Sequence, residues 1–279
     1  MAKAGGLGLM TCIGSAVLVL LTLGQAAPTV PAAPAAPLDQ EAAKHFLLTA
    51  KIGKIKTLSK GVTRPRRVTL SDGTLTHDAV FQAVDESKGI ERFPTGRVEI
   101  DFRDSWHFNI AAFELARAIG LEGMVPPCVS RIIQSERGSL CWWVIWKWDE
   151  QMRVAEKIRP PDTVEWQKQW DVMRVFRELV DDTDRNQTNM LITEDWKVWM
   201  VDFTRAFRKT QALRKPEDLR RCPKTLLERI RTLDDATVRA ATSEHLRPGE
   251  IEAVLIRRKL IVDHFDKLVA EKGADAVLF

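Results

Sequence analysis

The chain has 279 residues, 45% hydrophobic and 29% charged, the composition of an ordinary globular protein long enough for one large domain or two lobes. Its formal charge of +4 comes from 42 basic and 38 acidic residues interspersed along the chain, so no block of one sign marks it for nucleic acid or acidic lipid. Nine Trp and no Tyr are a packing fact and select no function.

Residues 1–26 read as a secretory signal, with a positive charge at Lys3, an apolar run from about Leu7 to Leu23, and small residues around Gly24-Gln25-Ala26 for cleavage. The run approaches the roughly 18 to 20 residues that cross a bilayer, so an uncleaved anchor is the second reading. Either way the rest of the chain is expected to be exported (periplasmic, extracellular or in a secretory lumen), touching a membrane only if the signal stays. Residues 27–44, in which Ala and Pro alternate from Pro28 to Pro37, are expected to be an extended tether without a core.

Two folded parts are expected beyond it, a β-rich N-lobe over residues 45–150 and a helical C-lobe over 151–279. From Lys51 to Trp148 short β-rich segments alternate with turn signals at Lys60-Gly61, Ser71-Asp72-Gly73 and Gly89. One helix interrupts them, with Ser105 as N-cap, Phe108, Ala111, Ala112, Leu115 and Ile119 at helical spacing, and Gly120 as the stop. Strands resume over Val125–Ile132 and Ser139–Trp148. Cys128 and Cys141 flank a segment able to turn around Glu136-Arg137-Gly138, which leaves both a disulfide and two buried thiols open. Past Trp148 an amphipathic helix is predicted over Val164–Leu179, and a last one starts at Pro248 and ends at Gly273. The five histidines are scattered and no HxxxH or CxxC pair occurs, which removes a zinc site.

The densest chemistry lies between Leu179 and Phe207, which reads helix, polar loop, strand, turn, strand. The loop places Asp184 and Asn189 just before one strand, and Asp202 ends the next, so a two-stranded hairpin brings all three to one edge. Phosphoryl transfer needs this set, because a carboxylate must orient the acceptor hydroxyl and oxygen ligands must hold a magnesium ion against the phosphates. Asp184 suits the first role, Asn189 and Asp202 the second, and Arg185 could steady the loop or a phosphate. Asp182–Asn186 opens like a calcium loop, but Gln187 stands where Gly belongs and Thr193 where Glu belongs. A glycan at the Asn186-Gln187-Thr188 sequon would obstruct the cleft. Without a GxSxG or HExxH motif, a hydrolase has little support.

These residues resemble the atypical branches of the protein-kinase-like superfamily, the secretory-pathway kinases of the Golgi and the type II phosphatidylinositol 4-kinases. The matching positions are Asp184-Arg185-Asn186-Gln187-Thr188-Asn189 and Val201-Asp202-Phe203. Upstream, Asn109 to Leu115 and Leu121 to Pro127 look like the regulatory helix and following strand. The resemblance implies an α+β, two-lobed kinase-like fold, ATP with Mg or Mn as cofactors, and as partners a nucleotide and an unidentified hydroxyl-bearing substrate (protein, sugar or lipid), with no nucleic acid. It also implies a Lys on the third strand paired with a helix Glu, where this chain has Gln82 and Asn109. A neutral pair binds phosphate less strongly than an ammonium. Lys88, Arg92 or Arg66 could compensate, and Glu114 on the same helix is the alternative alignment. Gly61 and Thr63, in a turn between strands, are the weak equivalents of a glycine loop. Two functions follow, an exported kinase-like phosphotransferase or a pseudokinase-like binding module that has lost catalysis.

Overall fold

The computed structural model describes residues 39–58, 64–96 and 98–279, so the signal, most of the tether, and Gly61 with Thr63 lie outside the described residues. Helical structure begins before the expected end of the tether at residue 44. Asp39 accepts from the amides of Glu41 and Ala42 and starts α1 (Gln40–Thr49).

β1 (Lys51–Thr57), β2 (Arg66–Ser71) and β3 (Thr76–Gln82) form an antiparallel meander. β4 (Asp85–Arg92) and β5 (Val98–Ser105) make a separate hairpin, α2 (His107–Ala118) follows, and β6 (Cys128–Ile133) and β7 (Glu136–Trp142) complete a five-stranded sheet in the order β1-β2-β3-β7-β6. Alternation decides which face is buried: Val68, Leu70, Ala79, Phe81 and Leu140 point to one side, where Phe46 and Leu47 of α1 cover them.

Three local expectations change. The β6–β7 turn is Gln134-Ser135, both with positive φ (51° and 68°), the conformation a two-residue hairpin demands; Glu136 to Gly138 are already in β7. Gly138 is needed for another reason, since a Cβ there would lie 2.2 Å from the Gln82 carbonyl oxygen of the adjacent strand. Gly89 lies inside β4, and its hairpin turns at 94–96 instead. Ser105 ends β5 and spends its hydroxyl on Asp85 (2.6 Å), so α2 starts without a side-chain cap. Tertiary bonds from Ser105 N to Thr204 O (2.8 Å) and from Trp106 N to Val84 O (2.7 Å) fix its start.

The helical part follows as β8 (Trp148–Asp149), α3 (Glu150–Ala155), α4 (Thr163–Val180), β9 (Met190–Ile192), β10 (Val198–Met200), α5 (Lys224–Thr232), α6 (Asp235–Thr242), α7 (Pro248–Lys272) and α8 (Ala274–Val277). Asp162 caps α4, and Asp181 ends it in the left-handed region. The larger core joins α2 to this half, with Phe108, Phe113 and Leu115 in one cluster with Phe176, Phe207 and Phe265. Arg257 belongs to the basic run Arg257-Arg258-Lys259, which from sequence reads as a solvated face, yet it is fully buried and donates to the carbonyls of Leu179, Arg208 and Thr210. Among the described residues no helix is long and apolar enough to cross a membrane.

Cys128 and Cys141 face each other across β6 and β7 and form a disulfide, which closes the question left open by the sequence. Burial pushes the Cys222 thiol up to about 12, so it is a poor candidate for exchange. Opening the bridge, by reduction or by C128S with C141S, is expected to lower unfolding free energy by about 2–3 kcal/mol through loop entropy. Urea melts with and without reductant check this; coincident curves would contradict it.

Candidate active site

The β9–β10 hairpin sets the site. Met190 pairs with Met200, which leaves Asn189 and Val201 adjacent at its end, joined by a bond from Val201 N to Asn189 O (3.1 Å). The preceding loop is fastened to this end from inside. Asp182, 1% exposed, accepts from the Asp184 amide (3.1 Å) and pairs with Arg185 (2.5 Å). The Arg185 side chain, 2% exposed, donates to the Asn189 and Val201 carbonyls at 2.8 and 2.5 Å and lies over the Phe203 ring. Arg185 is not among the residues that line the cleft, so of its two expected roles these contacts correspond to the loop anchor and not to a phosphate ligand. Asn189 Nδ2 donates to the Asp184 carbonyl (3.2 Å), which leaves the amide oxygen for another partner.

Asp184, Asn189 and Asp202 all line one cleft of about 1310 Å³, together with Gln82, Asn109, Trp142 at the end of β7, and Trp143 and Trp146 beyond it. Asp202 has φ of +58°, a left-handed conformation that costs a non-Gly residue on the order of 1–3 kcal/mol and recurs at functional sites. Its Oδ1 accepts from Gln82 Nε2 (3.2 Å) and Thr204 Oγ1 (3.1 Å).

Gln82 and Asn109 meet as the sequence allowed, and are buried at 6% and 2% exposure. Asn109 Nδ2 donates to Gln82 Oε1 (2.7 Å) and Ser139 Oγ (3.0 Å), while its Oδ1 accepts from Phe203 N (2.8 Å). A chain of neutral hydrogen bonds thus runs from α2 through β3 to Asp202. Glu114 is held by Lys44 (2.7 Å) and Arg117 and does not line the cleft, so Asn109 is the α2 residue of the site. Lys88 and Arg66 line the cleft but are paired, Lys88 with Glu86 and Glu91 and Arg66 with Glu136; Arg92 does not line it. Replacing Asn109 with Ala strands the buried Phe203 amide and is expected to cost about 1–3 kcal/mol in a denaturant melt. A loss below about 0.5 kcal/mol would contradict the network.

One cleft acid had no signal in the sequence. Asp104, near the end of β5, also lines the cleft, and its Oδ1 is shielded from solvent with no hydrogen-bond partner. Burial first, then repulsion from Asp202 and Glu86, outweigh a Thr204 hydrogen bond and Arg205, and push its carboxyl from 3.8 to about 6. An acid whose folded pKa is raised stabilises the fold most when protonated, and that contribution is lost as pH rises from about 4 through 6. Asp104→Asn is therefore expected to be more stable than wild type at pH 7.5, by up to about 3 kcal/mol, with the gap closing towards pH 4. A gap independent of pH would contradict this assignment.

Among the described residues no three His, Cys, Asp or Glu side chains converge closely enough to cage a metal. Asp202 and Asn189 instead offer two hard oxygen donors, the kind of partial shell that Mg or Mn completes with phosphates.

A small antiparallel lobe, a mainly helical lobe, and a polar loop and hairpin at their cleft make up a two-lobed protein-kinase-like fold. Solved structures carry the same architecture at low identity. Hydra Fam20, described with sugar, matches at TM-score 0.62 and 18% identity over 86% of this chain and 92% of its own. The Golgi casein kinase matches at 0.58 and 14%, over 86% and 79%, and the Helicobacter pylori proinflammatory kinase CtkA at 0.52 and 8%, over 82% and 98%. No family model and no curated protein matches the sequence.

Proposed function

We propose that the protein is an exported, kinase-like phosphotransferase that moves a nucleotide γ-phosphoryl group to a hydroxyl, with Asp184 as base and Asn189 with Asp202 holding Mg or Mn. The observation that carries this reading is that Asp184, Asn189 and Asp202 all line one cleft. Asp184 would orient the acceptor hydroxyl and take its proton, and Gln82 and Thr204 would hold the Asp202 carboxylate in one rotamer. A bound divalent ion would offset charge on the phosphates. The acceptor is a protein, sugar or lipid hydroxyl; the neighbour described with sugar makes a sugar the first to try. Export is supported by the Cys128–Cys141 bridge, since such bonds persist in oxidising compartments.

The neutral Gln82–Asn109 pair favours a second reading, a binding module without turnover, because no lysine ammonium contacts Asp202 from β3. Incubation with γ-labelled ATP, Mn or Mg, and separate glycan, peptide and lipid acceptors distinguishes the two. Metal-dependent label transfer supports the enzyme. Metal-dependent ATP binding with no transfer or hydrolysis supports the binding module.

A further inference from the structure

We infer that His107 and His245 form a proton-sensitive latch that docks the start of α2 on the α6–α7 connection and makes nucleotide affinity at the cleft depend on pH; the second part rests on the reading of the cleft given above. The two residues are 138 positions apart, and the fold brings their Nδ1 atoms to 3.2 Å. His107 opens α2, and His245 follows α6, where its amide donates to the Thr242 carbonyl (2.9 Å). Buried Trp106 packs on both rings, stacked on His107 with centroids 3.6 Å apart and edge-on to His245 at 6.4 Å.

Nitrogens at this distance share one hydrogen, with one ring donating and the other accepting. Two imidazolium rings would set two N–H groups and two positive charges against each other, so a second proton requires the rings to part. The surrounding charges do not relieve this. Asp85 of β4 faces His107, but Arg103 of β5 and Arg137 of β7 oppose it, and Asp85 already accepts from Ser105 (2.6 Å). Glu244 and Glu114 face His245, with Glu114 held by Lys44 and Arg117. Burial outweighs these carboxylates and lowers both imidazoles from 6.5. A base whose folded pKa is lowered supports docking fully above about 6.5, and that support is lost as pH falls below it.

The link to the cleft is short. The Asn109 amide donates to the Trp106 carbonyl (3.2 Å), and its side chain holds Gln82, Ser139 and Phe203 N. Parting the histidines frees the first turn of α2, and with it the chain of bonds that ends at Asp202.

The test compares wild type with His107→Asn and His245→Asn, in which a side-chain amide takes the Nδ1 position and does not titrate. Hydrogen exchange of the α2 amides, corrected for intrinsic rates, gives their opening constant at pH 7.5 and 5.0. Refusing one proton at a site of ordinary pKa 6.5 shifts the balance by up to about thirtyfold at pH 5.0. The expected rise in wild type is therefore at least about tenfold, against under about threefold in both variants. Equal rises in wild type and variants would overturn the latch. In wild type alone, NMR titration is expected to show the two imidazoles titrating below 6.5 in coupled steps; independent titration at 6.5 would overturn the latch even if a variant fails to fold. The affinity for Mn with a non-hydrolysable ATP analogue is expected to fall from pH 7.5 to 5.0 at least about fivefold more in wild type than in either variant. Equal losses would overturn the coupling to the cleft. Wild type that binds neither Mn nor the analogue at pH 7.5 would overturn the cleft reading, and the exchange result would still decide the latch.

Discussion

Asp184→Asn is expected to lower the rate of phosphoryl transfer by about 10²–10⁴-fold while leaving nucleotide affinity within a few-fold, the effect of removing a positioned general base. The substitution keeps shape and removes only the basic oxygen. The backbone it sits on is fixed independently of its side chain, with its amide on Asp182 and its carbonyl accepting from Asn186 N (2.8 Å) and Asn189. Arg185 holds the same loop to the β9–β10 hairpin from the interior. Single-turnover rates at saturating ATP and metal provide the measurement, and a change of under about threefold would remove Asp184 from the role of base.

Asp202 is expected to have the larger effect on binding. Asp202→Asn is expected to abolish the metal-dependent part of nucleotide stabilisation, which in wild type should reach about 2.7 kcal/mol at a hundred times the dissociation constant. Asn is the better substitution than Ala here, because it tolerates the left-handed conformation that position 202 requires. It keeps an amide oxygen for Gln82 and Thr204 and removes the charge a hard cation needs. Equal thermal shifts with Mn and ATP in Asp202→Asn and wild type would show that the ion binds elsewhere.

The parts of the site that could be read in advance are those close in sequence. Asp184, Asn189 and Asp202 lie within one loop and one hairpin, so the strand pattern of Met190–Ile192 and Val198–Met200 was enough to bring them together. The long helices α4 and α7 were legible for the same local reason, α4 through its amphipathic spacing and α7 through Pro248 and Gly273 at its ends. Residues placed by long-range packing were not. Asn109 and Glu114 lie five positions apart on one helix, and only the docking of α2 against β3 and β7 settles which one meets Gln82. Asp104 reads as one more polar position in a strand until the β4–β5 hairpin is folded against the cleft. Arg257 in a basic run reads as surface until α7 presses it against the end of α4. Arg185 fits the motif equally well as phosphate ligand or anchor, and only its burial separates the two.

The central claim is that this cleft is a metal-dependent nucleotide site. Thermal unfolding of the purified protein with ATP alone, Mn alone, and both together tests it most directly. The expected result is a shift with both that exceeds the sum of the separate shifts, because metal and phosphates complete one coordination shell. No shift with ATP and Mn together would contradict the claim.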